Sequence, residues 1–122
     1  FAALEGIVEE AIDGFEDTGK AENEFLEKSN LVRIKHQNDE YSEYGHLRKG
    51  SVKVRKGQLI RINQHLGEIG LSGFTDYPHL HFEVSTRRWT ENILYRDPTL
   101  LVQFRYRNRT FTMRSPNKET QE

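Results

Sequence analysis

The chain contains no cysteine in its 122 residues, which excludes disulfides and every zinc site built on thiolates. It has no apolar run approaching the length of a membrane span. It has little net charge, formally −1, and so no strong overall field toward nucleic acid or a membrane surface. No leader of basic and then apolar residues opens it. The start at Phe1-Ala2-Ala3 reads as the interior of a longer protein, with material upstream. Helical periodicity over ten or more residues is also missing. What remains is an all-β or nearly all-β domain of many short strands.

The length suits one domain with a core of its own. Charge is present in quantity but segregated. Residues 1–30 carry nine acidic side chains against Lys20 and Lys28, while residues 87–114 carry seven arginines against Glu91 and Asp97. Such ends form solvated faces or pair with each other more often than they mark a ligand surface.

Ala3 to Ile12 reads as a strand interrupted at Gly6, where a glycine signals a bulge or a close backbone approach. Residues 13–30 read as a long acidic surface loop with a helical turn over Glu22 to Lys28. Leu31 to His36 resumes strand alternation, with Val32, Ile34 and His36 on one face. Gln37 to Glu40 is a turn, and Tyr41 to Leu47 returns as the partner of a β-hairpin. Val52 to Ile60 and Ile62 to Gly70 echo each other weakly as turn-and-strand units, too short for a solenoid. Leu71 to Asp76 is a loop. Arg87 to Pro98 is a connector. Leu100 to Arg107 then forms a strand, Asn108-Arg109 a turn and Thr110 to Met113 a partner strand. Arg105, Arg107 and Arg109 with Phe104 and Tyr106 resemble a basic-aromatic nucleic-acid surface, but the balanced overall charge favours a half-exposed hairpin. The tail from Ser115 is polar.

The stretch from Tyr77 to Val84, Tyr-Pro-His-Leu-His-Phe-Glu-Val, carries the chemistry. Tyr77-Pro78 favours an extended start, because the residue before proline is pushed away from helix. With a period of two, Leu80, Phe82 and Val84 point one way and His79, His81 and Glu83 the other. If the apolar face is buried, two imidazoles stand roughly 6–7 Å apart along the strand. Imidazoles so placed can share a metal ion or a metal-bound water. A bare His-x-His reads more often as two histidines on a solvated strand face.

The order of the pieces narrows the choice. Ala3, Gly6, Ile7 and Val8 are followed by Val32 to His36, then Tyr44-Gly45-His46-Leu47 and a Lys56-Gly57-Gln58 turn. Gly67-x-x-Gly70-x-Ser72-Gly73 and Pro78-His79-Leu80-His81-Phe82-Glu83 complete the series. Over residues 2–84 this resembles the lysostaphin/LytM-type zinc metalloendopeptidases, which cut peptide cross-links of bacterial peptidoglycan. The resemblance implies a compact antiparallel β structure with an open groove across the sheet. It implies His81 as a zinc ligand, and His79 and His46 as catalytic residues contacting the attacking water or the developing oxyanion. His36 matches a structural histidine packed near the site, Tyr44 matches a framework position, and His65 matches nothing catalytic. Glu83 reads as part of the strand rather than as a ligand.

The family's other two zinc ligands come from a His-x-x-x-Asp motif upstream of the Ala-x-x-Gly segment, and no such motif occurs in these 122 residues. Catalytic zinc takes three protein ligands and a water, so zinc binding by the chain as given is expected to be weak or absent. The expected organisation is a peptidase-like β domain over 1–86 and an extension with a hairpin over 87–122, packed on the same domain. The expected setting is extracytoplasmic, with peptidoglycan peptides as partners, no nucleic acid and no membrane span. The alternatives are a silent relative that binds peptidoglycan or activates another cell-wall hydrolase, and a generic β-rich structural module.

Overall fold

The computed structural model describes residues 1–86, 103–106 and 109–112. Five strands form one open antiparallel sheet: β1 (Gly6–Ile12), β2 (Leu31–Lys35), β3 (Tyr41–Gly45), β4 (Leu59–Ile60) and β5 (His81–Ser85), in the order β4-β1-β2-β3-β5. Helical structure among the described residues is limited to two short 3-10 turns, Asn23–Phe25 and Gln37–Asp39. The all-β reading therefore holds. No helix of the described residues is long and apolar enough to cross a membrane.

Cross-strand register explains why one face of this sheet is the core. Val8 opposes Ile34, Val32 opposes Tyr44 and Ile34 opposes Ser42, and Tyr44 and Ser42 oppose Phe82 and Val84. Directly opposed residues share a face, so these side chains stack into one layer. Ala2, Leu47, Val54, Ile60 and Leu66 close over it. Each fully buried aliphatic side chain contributes about 1.5–3 kcal/mol. That burial, more than ladder hydrogen bonds, fixes the arm from 47 to 66, which has only two residues of regular strand.

Gly6 is a close approach rather than a bulge. A Cβ there would lie 2.4 Å from the Lys35 carbonyl oxygen and 2.6 Å from Ile34 Cγ2. The bulge comes later, where the β1–β2 register slips between Val8 and Glu10. The echo between residues 52–60 and 62–70 is real at its turns. Gln58 N–H donates to Arg55 O and Gln64 N–H to Arg61 O. In both turns the glutamine Oε1 accepts from the first residue's N–H, Arg55 or Arg61. Gly57 and Asn63 take the positive φ, 89° and 67°. Both turns hydrogen-bond to the N-terminal segment, at Val8 and Ala2. The remaining residues of these two expected strands stay irregular apart from β4 and an isolated bridge, Leu47 to Ile69.

The strand containing the histidines is shorter than its alternation implies. β5 begins at His81, so His79 and Leu80 precede it. Leu80 is exposed, Phe82 and Val84 are half-buried, and Glu83 on the polar face is buried. The cause is a row of charge across the sheet, Arg33 opposite Glu43 and Glu43 opposite Glu83. The C-terminal hairpin forms from β6 (Gln103–Tyr106) and β7 (Arg109–Thr112). Tyr106 pairs with Arg109, so Arg109 belongs to the strand and not to the expected turn. The expected connector from Arg87 to Pro98 and the tail from Ser115 lie outside the described residues.

Candidate active site

Three imidazoles meet where β3 ends and β5 begins. Gly45 opposes His81 across the ladder, and His46 follows Gly45 directly. The His46 ring centroid lies 4.9 Å from that of His79 and 5.6 Å from that of His81. The other two histidines lie elsewhere. His36 is at the opposite end of the β2–β3 hairpin, against Glu5 O at 2.6 Å and Ser42 Oγ at 2.7 Å. It is buried and structural, but the register carries it away from the other rings, against the expectation that it packs near them. His65 is exposed, with its ring against Phe1. Tyr44 is a core residue whose hydroxyl accepts from Ala3 N–H at 2.9 Å, its ring lying against Phe82.

The rings of His46 and His79 are fixed by the loops around them. His46 has φ +60°, a left-handed conformation uncommon for a residue with a Cβ. Its N–H donates to Ser29 Oγ at 2.8 Å and its Nδ1–H to the Ser72 carbonyl at 2.7 Å. Ser72 Oγ donates to Leu47 O and accepts from Asn30 N–H. His79 Nδ1–H donates to Tyr77 O at 2.9 Å, with Thr75 Oγ1 at 3.2 Å. The Tyr77 ring lies against it at 4.7 Å. Ser72 belongs to a glycine-bounded segment that resembled the family, which was a usable signal. Ser29, Asn30 and Thr75 carried none, because their partners are remote in the chain or lie in irregular loop.

His81 faces the charged row. Its Nε2 is 3.3 Å from Glu83 Oε1. Arg33 donates to Glu43 through Nε at 3.2 Å and Nη2 at 2.8 Å, and its Nη1 is 3.6 Å from Glu9. Burial pushes the Glu43 carboxyl above the usual carboxylate range, against the pull of Arg33. Burial also holds His46 below the ordinary imidazole value; the Ser72 carbonyl partly offsets this, and His81 and His79 add to the depression. His46 is therefore neutral near pH 7, as a proton acceptor must be.

Among the described residues, one group of three metal-capable side chains has all its ligand atoms within 4.8 Å of one another: Glu43, His81 and Glu83. The three imidazoles are not such a group. The donor types at His81 suit zinc, which accepts imidazole and carboxylate. Of the two carboxylates, Glu43 is engaged with Arg33, and Glu83 stands opposite Glu43 across the ladder. The residues present thus fit one ligand position of a three-ligand zinc site, at His81.

Comparison with known proteins places this arrangement. The profile of peptidase family M23 matches residues 1–93. A lipoprotein NlpD/LppB homolog of Pseudomonas aeruginosa is 44% identical over 54 residues, 44% of this chain and 17% of that protein. The peptidoglycan DD-endopeptidase ShyC of Vibrio cholerae is 32% identical over 83 residues, 68% of this chain and 16% of its own length. A crystal structure of a zinc-containing peptidase from Vibrio cholerae superposes with a TM-score of 0.50 at 30% identity, covering 66% of this chain and 21% of that one. The chain thus spans under a fifth of the length of these two curated relatives. With the profile covering most of the chain and the open antiparallel sheet in agreement, this protein belongs to peptidase family M23.

Proposed function

We propose that this chain is a zinc-dependent endopeptidase domain acting on the peptide cross-links of bacterial peptidoglycan, in an extracytoplasmic setting. Residues 1–86 form its peptidase-like unit, and 87–122 an extension packed on the same domain. The observation that carries the reading is the convergence of the His46, His79 and His81 rings on one spot. The names of the Vibrio relatives, a peptidoglycan DD-endopeptidase and a zinc-containing peptidase, support the substrate and the metal.

In this reading His81 is a zinc ligand, joined by donors beyond the matched positions of this chain. Bound zinc supplies Lewis-acid polarisation of the scissile carbonyl and eases deprotonation of the attacking water. His46 and His79 keep their Nε2 lone pairs, because both Nδ1 atoms donate to carbonyls. They orient the water, accept its proton and, once protonated, donate to the oxyanion as it forms.

The test is zinc titration of the protein and of His81→Ala, with release of soluble peptides from purified peptidoglycan. Weak zinc uptake through His81 is expected for the parent, and none for His81→Ala. His46→Ala and His79→Ala are expected to keep the metal and lose about 10²–10⁴-fold in turnover. Equal, negligible uptake by parent and His81→Ala overturns the reading. A parent that binds peptidoglycan without cutting it assigns the silent alternative.

A further inference from the structure

The catalytic reading uses the Nε2 atoms of His46 and His79, and it leaves open what keeps the proton off them. In a free neutral imidazole the Nε2–H tautomer is modestly favoured, and that form offers a donor where the reaction needs an acceptor. Which nitrogen carries the proton is set by the hydrogen bond that the other makes. Both rings meet one short loop, Ser72 to Tyr77. His46 Nδ1 faces the Ser72 carbonyl at 2.7 Å, and His79 Nδ1 faces the Tyr77 carbonyl at 2.9 Å. A carbonyl only accepts, so each Nδ1 carries the proton.

Thr75 completes the arrangement at His79. It is buried, with 4% of its surface exposed. Its hydroxyl donates to Tyr77 O at 2.8 Å, so the lone pairs of Oγ1 are what face His79 Nδ1 at 3.2 Å. Nδ1 therefore sees two acceptors and no donor. The same hydroxyl fixes the carbonyl that accepts from the ring, inside a segment with no regular secondary structure. The Tyr77 ring packs on the imidazole, its plane tilted by 33°. His46 needs no such help, because Ser72 is itself held by Asn30 and Leu47.

We propose that the Ser72–Tyr77 loop is a tautomer clamp for both catalytic imidazoles, and that Thr75 is the positioning residue that holds His79 in the Nδ1–H form. The kinetic part of this rests on the peptidase reading; the tautomer itself does not.

The experiment compares the parent, Thr75→Val and Thr75→Ser in the metal-free protein, by long-range ¹H–¹⁵N correlation of the imidazole nitrogens. Valine keeps the volume and removes the hydroxyl; serine keeps the hydroxyl. The parent is expected to show both His46 and His79 as Nδ1–H. In Thr75→Val the Nε2–H form becomes the major one at His79, His46 is unchanged, and Thr75→Ser restores the parent pattern. In the loaded enzyme kcat falls about ten- to a hundredfold in Thr75→Val, with KM held within about twofold, and serine recovers it. An unchanged His79 tautomer in Thr75→Val overturns the proposal. So does an equal change at His46, which would mark a general collapse of the loop. If the parent cuts no peptidoglycan, the peptidase reading fails while the spectra still decide the clamp.

Discussion

At the scale of the residue, the site depends on imidazoles staying neutral, and His46 carries a thermodynamic signature of that. Its folded pKa lies below the ordinary value of 6.5, burial being the largest cause. Between 6.5 and that lower value the unfolded chain binds more protons than the folded one. Stability therefore rises with pH through this window and falls on acidification. The loss begins near pH 6.5, grows as pH falls toward the folded pKa, and is complete below it. Urea midpoints at pH 7.5 and 5.5 are expected to differ more in the parent than in His46→Gln, which removes the titrating group. Equal differences in the two proteins would detach the pH response from His46. In the proposed reaction the same two states decide turnover, since protonated His46 has no lone pair to offer.

At the scale of the element, the paired turns make a sharper comparison than the strands. Gly57 and Asn63 occupy the same place in two turns of one design, each with φ positive and each followed by a capping glutamine. Glycine enters that conformation freely and asparagine tolerates it. Gly57→Ala is therefore expected to cost about 1–2 kcal/mol. Gly57→Asn is expected to cost clearly less, and Asn63→Gly to be close to neutral; denaturant midpoints measure all three. A Gly57→Ala no weaker than Gly57→Asn would refute the shared design. These turns were legible as an echo because turn chemistry is local. So was the β2–β3 hairpin, whose alternation and turn sit within 15 residues of sequence. The pairing of β1 with β4 and the late start of β5 at His81 were not legible, since each depends on a partner far away in the chain. The polar face of β5 went the same way. Alternation predicts a solvated Glu83, and only the opposing Glu43 and Arg33 explain why it is buried.

At the scale of the whole molecule, the acidic first thirty residues are not a passive solvated face. Asp13 accepts from Gly50 N–H and Asp17 from Leu71 N–H, while Glu16 pairs with Lys49. Asn30 fastens this loop to the site. It is fully buried, its Oδ1 accepting from Phe15 N–H and its Nδ2 donating to Phe15 O and Leu47 O. Its N–H reaches Ser72 Oγ, 42 residues away, and its carbonyl accepts from Leu47 N–H. One residue thus joins the acidic loop, the end of β3 and the tautomer-holding loop, three segments that local pattern treats separately. Asn30→Ala strands the Phe15 N–H, whose lost partner costs about 1–3 kcal/mol, and deprives two carbonyls of a donor besides. The effect should reach beyond stability. In the parent, the His46 and His79 imidazole signals and the far-UV signal of the sheet are expected to disappear in one denaturant transition, as in a two-state domain. In Asn30→Ala the imidazole signals should broaden or shift before the sheet melts, because the side-chain ties to Phe15 and to the Leu47 carbonyl, which also accepts from Ser72 Oγ, are lost while the packing of Val8, Val32 and Ile34 is untouched. Coincident transitions in the variant would show that Asn30 stabilises the fold without organising the site, and the register of β3 and β5 would then suffice to bring the three rings together.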